Sequence, residues 1–500
     1  MITVEPAAFG RKTDDALLLL CCEEEQELYR DTRLLRLLGR ARALGEFRGR
    51  RDEELVLYDP PEVGPRRVIL RGLGRAEAVE TEFLRQAAGR AVRRAQQMKR
   101  RAVAIAAPEE ALAGVSEEAA LQALLEGAVL GNHRVDRERA EREAEPLARI
   151  RIFVPEALAG PGRRIAREVE AVCGAQLLAR DWVNLPANEK PPARLAARIA
   201  REARRAGLAV ERLEQAELRR LKMGALLAVA RGSAASPVLL VLRHGRSRRS
   251  PAVLVGKGVV FDSGGIHLKT GESLADMKAD MAGAAAVAAT LIGAARLGLE
   301  RSLIGVIPLV ENMLSGSAMR PGDIVTGRSG KRIEIGNTDA EGRLILADAL
   351  AWAEERFSPA VLVDVATLTG ACVVALGERI AGIFSPQEDL GSALLAAGRR
   401  TGERCWPLPL PEDYREFLKS HLADIRNLPS TRAGGAITAA LFLQAFVGRT
   451  PWAHLDIAGP AFQKQESAFC GPGATGFGVR LLLDWLRGEP FGPMGGKRDG

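Results

Sequence analysis

Seven consecutive residues, Asn337-Thr338-Asp339-Ala340-Glu341-Gly342-Arg343, set two carboxylates and an arginine between two contrasting segments. Before them Arg332-Ile333-Glu334-Ile335 alternates like a strand end, and after them Leu344 to Leu350 repeats apolar residues at helical spacing. The acids therefore fall at a strand-to-helix junction, where open α/β sheets place their ligand sites. Asp339 and Glu341 are two apart, so an extended backbone would send both side chains to one side and let them converge on a cation. Clustered hard carboxylate oxygens suit a divalent metal. A polar turn with an acidic helix start, favoured by the helix dipole, accounts for this stretch alone equally well.

A second segment narrows the choice. Pro251 to Met281 reads PAVLVGKGVVFDSGGIHLKTGESLADMKADM, a β-like run from Ala252 to Val255 followed by Lys257, Asp262, Gly264-Gly265, Lys269 and Asp280. Two lysines and two acids thus share one βα-type connection. Its glycines permit backbone angles and close approaches forbidden to other residues, as a loop wrapped around a metal pair requires. Any one of these charges fits a solvated loop tip; the whole set, taken with the acids of the later loop, is much harder to read that way.

Both segments resemble the leucyl aminopeptidase family, metallopeptidases that carry two metal ions. The family octapeptide NTDAEGRL is present unchanged from Asn337 to Leu344. Further matching stretches run from Arg180 to Pro186, Met223 to Gly232, Ala366 to Ala371, Gly435 to Ala440, His454 to Gly459 and Gly473 to Gly476. They follow the family's order across about residues 175 to 490.

Carried over position by position, the resemblance implies that Asp262 and Glu341 bridge the two metals. Asp339 would complete one site, and Lys257 with Asp280 the other. It implies a hydroxide held between the ions as nucleophile, Lys269 as oxyanion stabiliser, and Arg343 holding a bicarbonate that acts as general base. Thr367, Leu368 and Gly370 would present backbone groups to the substrate, with Asn337 also in the substrate site, and Met277 and Ala474 would line the pocket for its first side chain. A lysine ligates only as the neutral amine, so Lys257 would need its pKa driven far down by the dications and by burial. Zn, Mn, Co and Mg all suit carboxylate and amine ligands, with Mn2+ or Zn2+ the expected occupants. The family also implies a preference for Leu and other apolar first residues, and a homohexamer.

The chain departs from the family pattern in places. His267 stands where a small polar residue is common and could be read as an additional ligand, Ala282 replaces a usual glycine, Phe477 follows Gly476, and Glu189-Lys190 interrupts the segment after Asn188. These changes leave the metal set intact and bear on the shape of the pocket.

Composition fits a two-domain α/β enzyme: 500 residues, 47% hydrophobic, are enough for two substantial cores. The expected division, with folds that the resemblance implies, is a macro-like amino-terminal α/β domain over 1–165, a mixed-sheet α/β catalytic domain over 166–490, and a flexible tail over 491–500. In the first, Val68 to Leu70 and Val103 to Ile105 read as strands, and Arg75 to Gln97 and Glu117 to Leu130 as helices. A loop after Pro155 and a helix from Gly162 to Ala179 would lead into the second. The richest apolar run, Ala282 to Leu297, is broken by Thr290 and Gly293, so no membrane span is expected. Met1 to Thr13 lacks a signal pattern, and six cysteines without metal or disulfide spacing read as reduced cytoplasmic thiols. A net charge of +8 raises an alternative of another class, a nucleic-acid binder on a peptidase fold. Its candidate clusters are Arg48, Arg50 and Arg51; Arg93, Arg94, Lys99, Arg100 and Arg101; and Arg246, Arg248 and Arg249.

Overall fold

Apolar runs buried on both faces organise the chain into two main sheets. The computed structural model describes residues 2–9, 15–23, 27–110, 112, 114–135, 145–245, 250–271 and 273–488. The tail 491–500 and the cluster Arg246, Arg248, Arg249 lie outside these described residues. The chain forms two compact units, Met1–Gly174 with Lys464–Pro472, and Ala175–Gln463 with Gly473–Gly500. The division falls inside one continuous helix, Glu156–Asn184, which begins directly after Pro155 and carries Pro161 within it. No loop separates Pro155 from that helix.

The first unit is built on strands β1 (Ile2–Pro6), β2 (Ala16–Cys22), β3 (Glu54–Tyr58), β4 (Arg67–Gly74), β5 (Ala102–Ala106) and β6 (Arg149–Val154). Their order is β1-β6-β5-β2-β4-β3, parallel except for the β3–β4 hairpin pairing. β2 reads ALLLLCC and is buried throughout, the continuous apolar run of a central parallel strand. Helices Thr81–Gln97 and Glu117–Gly131 belong to the same unit, and Arg85 Nε meets Glu126 Oε2 at 2.7 Å in its interior.

The second unit carries β7 (Ala209–Glu214), β8 (Val238–His244), β9 (Ala252–Gly256), β10 (Gly258–Asp262), β11 (Leu303–Asn312), β12 (Ile324–Thr326), β13 (Arg332–Glu334), β14 (Val361–Ala366), β15 (Ala381–Phe384), β16 (Cys405–Pro407), β17 (Ile425–Arg426) and β18 (Trp452–Asp456). Nine of them make a mixed sheet ordered β16-β15-β18-β14-β9-β11-β8-β7, with β10 also on β11. β18, β14, β9, β11 and β10 run parallel, so their carboxyl ends share one edge. Val253, Val255 and Leu362 pack with Leu344, Ile345 and Phe442 from helices Glu341–Phe357 and Gly435–Gln444 in the main core.

Helix Ala282–Arg296 is buried on every side from Ala282 to Ala294, the mark of a core helix. Residues 274–296 are long and apolar enough to cross a membrane by composition, yet 89% of their apolar 18-residue segment is buried inside the protein. All six cysteines are buried and none forms a disulfide.

Candidate metal centre

The parallel strands deliver polar groups to one edge. Lys257 follows β9, Asp262 ends β10, Asn312 ends β11, Thr367 follows β14 and Asp456 ends β18. Their assembly is the strand-end geometry of ligand sites in open α/β sheets. Asp280 arrives from a 3-10 turn, Met277–Ala279, just before helix Ala282–Arg296. Asp339 and Glu341 come from the other direction, between β13 and helix Glu341–Phe357.

The backbone joining those two acids is not extended, as the sequence had suggested. Asn337 Oδ1 accepts the Asp339 amide at 2.8 Å and folds the chain into a turn, and Glu341 is already the first helical residue. The acids converge through this turn.

Carboxylate oxygens of Asp262, Asp280 and Glu341 all lie within 4.8 Å of one another, and the three residues are buried. Lys257 Nζ sits 2.8 Å from Asp280 Oδ1 and 3.0 Å from Glu341 Oε1, and donates to Thr367 O at 2.8 Å. Lys269 Nζ lies 3.0 Å from Asp262 Oδ2 and 2.5 Å from Asp339 Oδ1, towards the more open side of the cluster. Thr367 Oγ1 donates to Asp280 Oδ1 at 2.7 Å.

Electrostatics follow from crowding acids in a dry place. Burial raises the Asp280 carboxyl to about 6, Asp262 adding to the rise while Lys257 opposes it. Burial, then the Asp262 charge, raises Glu341 to about 8. Burial works against the Lys257 ammonium, but Asp280, Glu341 and Asp262 overcome it and hold the proton on more firmly than usual. The protein's own groups thus act in the opposite sense to what ligation by Lys257 requires. Ligation of a cation by that amine must expel a proton, coupling metal binding to proton release.

The donor set fits a hard divalent metal. Acids outnumber lysines four to two in the cluster, and Asp280 Oδ2 and Glu341 Oε2 are buried without a hydrogen-bond donor. Buried carboxylate oxygens are costly unless something positive meets them. Among the described residues this cluster contains no histidine. His267 is not brought into it: its Nδ1 lies 3.2 Å from Thr338 Oγ1 and takes the Thr338 amide at 3.3 Å, so the ring turns to the backbone of the neighbouring loop.

The other expected site residues are spread around this centre. Arg343 is buried, donates from Nη1 to Asn427 O at 2.8 Å, and keeps a buried Nε without an acceptor. Burial draws its pKa down to about 10 against the pull of Glu341 and Asp456. Met277 opens the turn that leads to Asp280. The Leu368 amide is taken by Asp456 Oδ1 at 3.1 Å, Gly370 is exposed at the start of helix Gly370–Leu376, and buried Ala474 donates its amide to Asn184 Oδ1 at 3.0 Å.

Comparison with known proteins accords with this arrangement. Residues 177–483 match the catalytic domain of the cytosol aminopeptidase family, and residues 23–142 match that family's N-terminal domain. The chain belongs to the cytosol aminopeptidase family. As a member it is a metallo-aminopeptidase, a hydrolase of two α/β domains. It is 45% identical over 468 residues to a protein from Syntrophotalea carbinolica described as a probable cytosol aminopeptidase, covering 92% of this chain and 93% of that one. A Geobacter protein of the same description is 44% identical, covering 90% and 91%. Among solved structures, the bottromycin maturation enzyme BotP in complex with Mn superposes with a TM-score of 0.84 at 38% identity, covering 95% of this chain and 99% of that one. A tomato leucine aminopeptidase mutant gives 0.85 at 34% identity, covering 97% and 96%.

Within this family member, several supporting residues escaped the sequence reading. Asn312 Nδ2 donates to Asp262 Oδ1 at 2.7 Å and to Thr338 O at 3.0 Å, lacing the two ligand loops together. Asn427 Oδ1 accepts from Gly336 N at 2.7 Å, and its Nδ2 donates to Asn337 O at 2.7 Å. A polar residue closing a ten-residue apolar strand was the available signal for Asn312; nothing local marks Asn427.

Among the described residues, several members of the first two basic clusters, and neighbouring Arg90, are engaged in the fold. Arg90 pairs with Asp52, Arg93 with Glu466, and Arg94 with Glu54 at 3.1 Å. Arg51 lies 3.5 Å over the Phe83 ring, and Arg100 donates to Met98 O at 2.6 Å. The nucleic-acid alternative has no support from these contacts or from the relatives.

Proposed function

We propose that the chain is a two-metal aminopeptidase of the cytoplasm, releasing Leu and other apolar residues from the free amino end of peptides as a homohexamer. The observation that carries this reading is the buried meeting of Asp262, Asp280 and Glu341 with Lys257, at strand ends, with two carboxylate oxygens lacking donors. Asp262 and Glu341 would bridge the ions, Asp339 would complete one site, and Lys257 with Asp280 the other. When bound, the metal pair supplies Lewis acidity and an activated water at neutral pH. Mn2+ is the first candidate because a structurally similar enzyme was solved with Mn; Zn2+ is the second.

The remaining roles belong to the chain's own groups. Lys269 would donate from Nζ to charge developing on the scissile carbonyl oxygen, where a preorganised cation is most effective. Arg343, buried with a spare Nε donor, would hold a bicarbonate through its planar fork, and that anion supplies a proton acceptor when bound. Met277 and Ala474 would line the pocket for the first side chain, with Asn337, Thr367, Leu368 and Gly370 around the peptide.

The test is hydrolysis of leucine p-nitroanilide by chelator-stripped protein supplied with Mn2+, Zn2+, Co2+ or Mg2+ in turn. At least one metal should restore turnover, and Asp262→Ala or Glu341→Ala should lose both turnover and bound metal. Undiminished turnover in either variant would remove the bridging assignment.

A further inference from the structure

Lys190 is wholly buried, and its amine meets the turn that leads to Asp280. It follows a short 3-10 turn, Ala187–Glu189, and precedes helix Pro192–Arg205. Its Nζ donates to Val183 O at 2.6 Å, to Lys278 O at 2.7 Å and to Trp182 O at 3.4 Å, with Met281 Sδ at 3.6 Å. Three carbonyls thus surround the amine and accept from it. Trp182 and Val183 lie in the last turn of helix Glu156–Asn184, where carbonyls lack intrahelical donors and the helix end carries partial negative charge. Lys278 lies in the Met277–Ala279 turn, two residues before Asp280.

One side chain therefore ties a helix end to the turn that presents both Met277 and Asp280. Within the turn the Asp280 amide donates to Met277 O at 3.3 Å, and on the other side its carboxylate is held by Lys257 and the Thr367 hydroxyl. Both of those partners bind the same oxygen, Oδ1, and leave Oδ2 without a donor. The position of the Asp280 backbone follows that of the turn, and Lys190 supplies the turn with a buried, hydrogen-bonded anchor. A hydrophobic residue there would leave the Val183 and Lys278 carbonyls without this donor in a dry site.

We infer that Lys190 is a positioning residue for the metal site that Asp280 completes: it sets that site's affinity by fixing the Met277–Ala279 turn. The inference rests on the reading of Asp280 as a ligand. Calorimetric titration of chelator-stripped full-length protein with Mn2+ separates the two. Wild type should bind two ions, and Asp280→Ala should lose one of them; failure of either result sinks the ligand reading, whatever Lys190 does.

Given those results, Lys190→Met should weaken one of the two sites by about 10–100-fold, the range for residues that orient a ligand. The other site should stay within about threefold. Lys190→Gln, which keeps two donors on a shorter arm, should fall between. Leu240→Ala, a cavity in buried strand β8, serves as the control for lost stability and should leave both affinities in place. Should Lys190→Met not fold, Lys190→Gln decides by the same criterion. Affinities in the Lys190 variants that match the Leu240→Ala control at both sites would overturn the inference.

Discussion

Gly342→Ala adds one methyl group and should nearly silence the enzyme while scarcely moving its stability. Gly342 is the second residue of helix Glu341–Phe357, and a Cβ built there would lie 2.5 Å from Lys257 Cε and 2.7 Å from Lys257 Nζ. Carbon contacts settle near 3.5–4.0 Å, so the end of Lys257 must retreat by about 1 Å. That end is fixed by Asp280 Oδ1 at 2.8 Å, Glu341 Oε1 at 3.0 Å and Thr367 O at 2.8 Å, and it is buried. A misplacement of about 1 Å in a catalytic constellation costs on the order of 10²-fold in rate. The backbone effect has the opposite sign, since alanine is favoured over glycine in a helix by up to about 1 kcal/mol. Turnover on leucine p-nitroanilide, Mn2+ stoichiometry by calorimetry and the thermal midpoint should be measured on one preparation. The expected result is about 10²-fold lower turnover with one metal site weakened and a midpoint near wild type. Turnover within about threefold of wild type, with both metals bound, would mean that the place of the Lys257 amine does not govern the centre.

Asn312→Leu removes the donor shared by Asp262 and Thr338, and should cost about 10–100-fold in metal affinity or turnover while circular dichroism stays native; unchanged affinity in a calorimetric titration would assign Asn312 to packing alone. Asp348 is wholly buried in helix Glu341–Phe357, and burial raises its pKa from 3.8 to about 7 despite amide donors from Leu226 and Arg328. The folded state then binds the extra proton between those two values, so the stabilising contribution is complete below 3.8 and is lost as pH rises through about 7. The gap in thermal midpoint between wild type and Asp348→Asn should therefore change in that window, and a gap constant from pH 4 to 8 would rule this out. Arg343→Lys keeps the charge and loses the planar fork, so turnover should fall with metal stoichiometry intact, and added bicarbonate should stimulate wild type but not Arg343→Ala; an equal response from both proteins would detach the anion from Arg343.

How legible the chain was depends on the range of the interactions involved. Strands β4, β5 and β9 could be read locally as short apolar runs, and helix Glu117–Gly131 from its apolar residues and acidic start. β2 was passed over although its run ALLLLCC is buried throughout like those of β5 and β9; a strand buried on both faces carries no alternation that tells it from a buried helix segment. The helix starting at Glu156 defeated a local rule in another way, since Pro161 marks a boundary in most sequences yet is absorbed here. The acid and lysine positions stood out as a set, since any one of them fits a solvated loop tip and all of them together do not. What brings them together is non-local. Asn312 stitches Asp262 to Thr338, Asn427 holds the loop from Gly336 to Asn337, and Lys257 lies against the place where Gly342 lacks a side chain. The partners in the last pair are far apart in sequence, so the lysine gives no reason for the glycine until the fold puts them in contact. Each of these supports is a neutral or ordinary residue whose meaning lies wholly in its partner. The charged cluster shows which chemistry a sequence of this kind can perform, while much of the geometry needed to perform it is written in the residues that surround it.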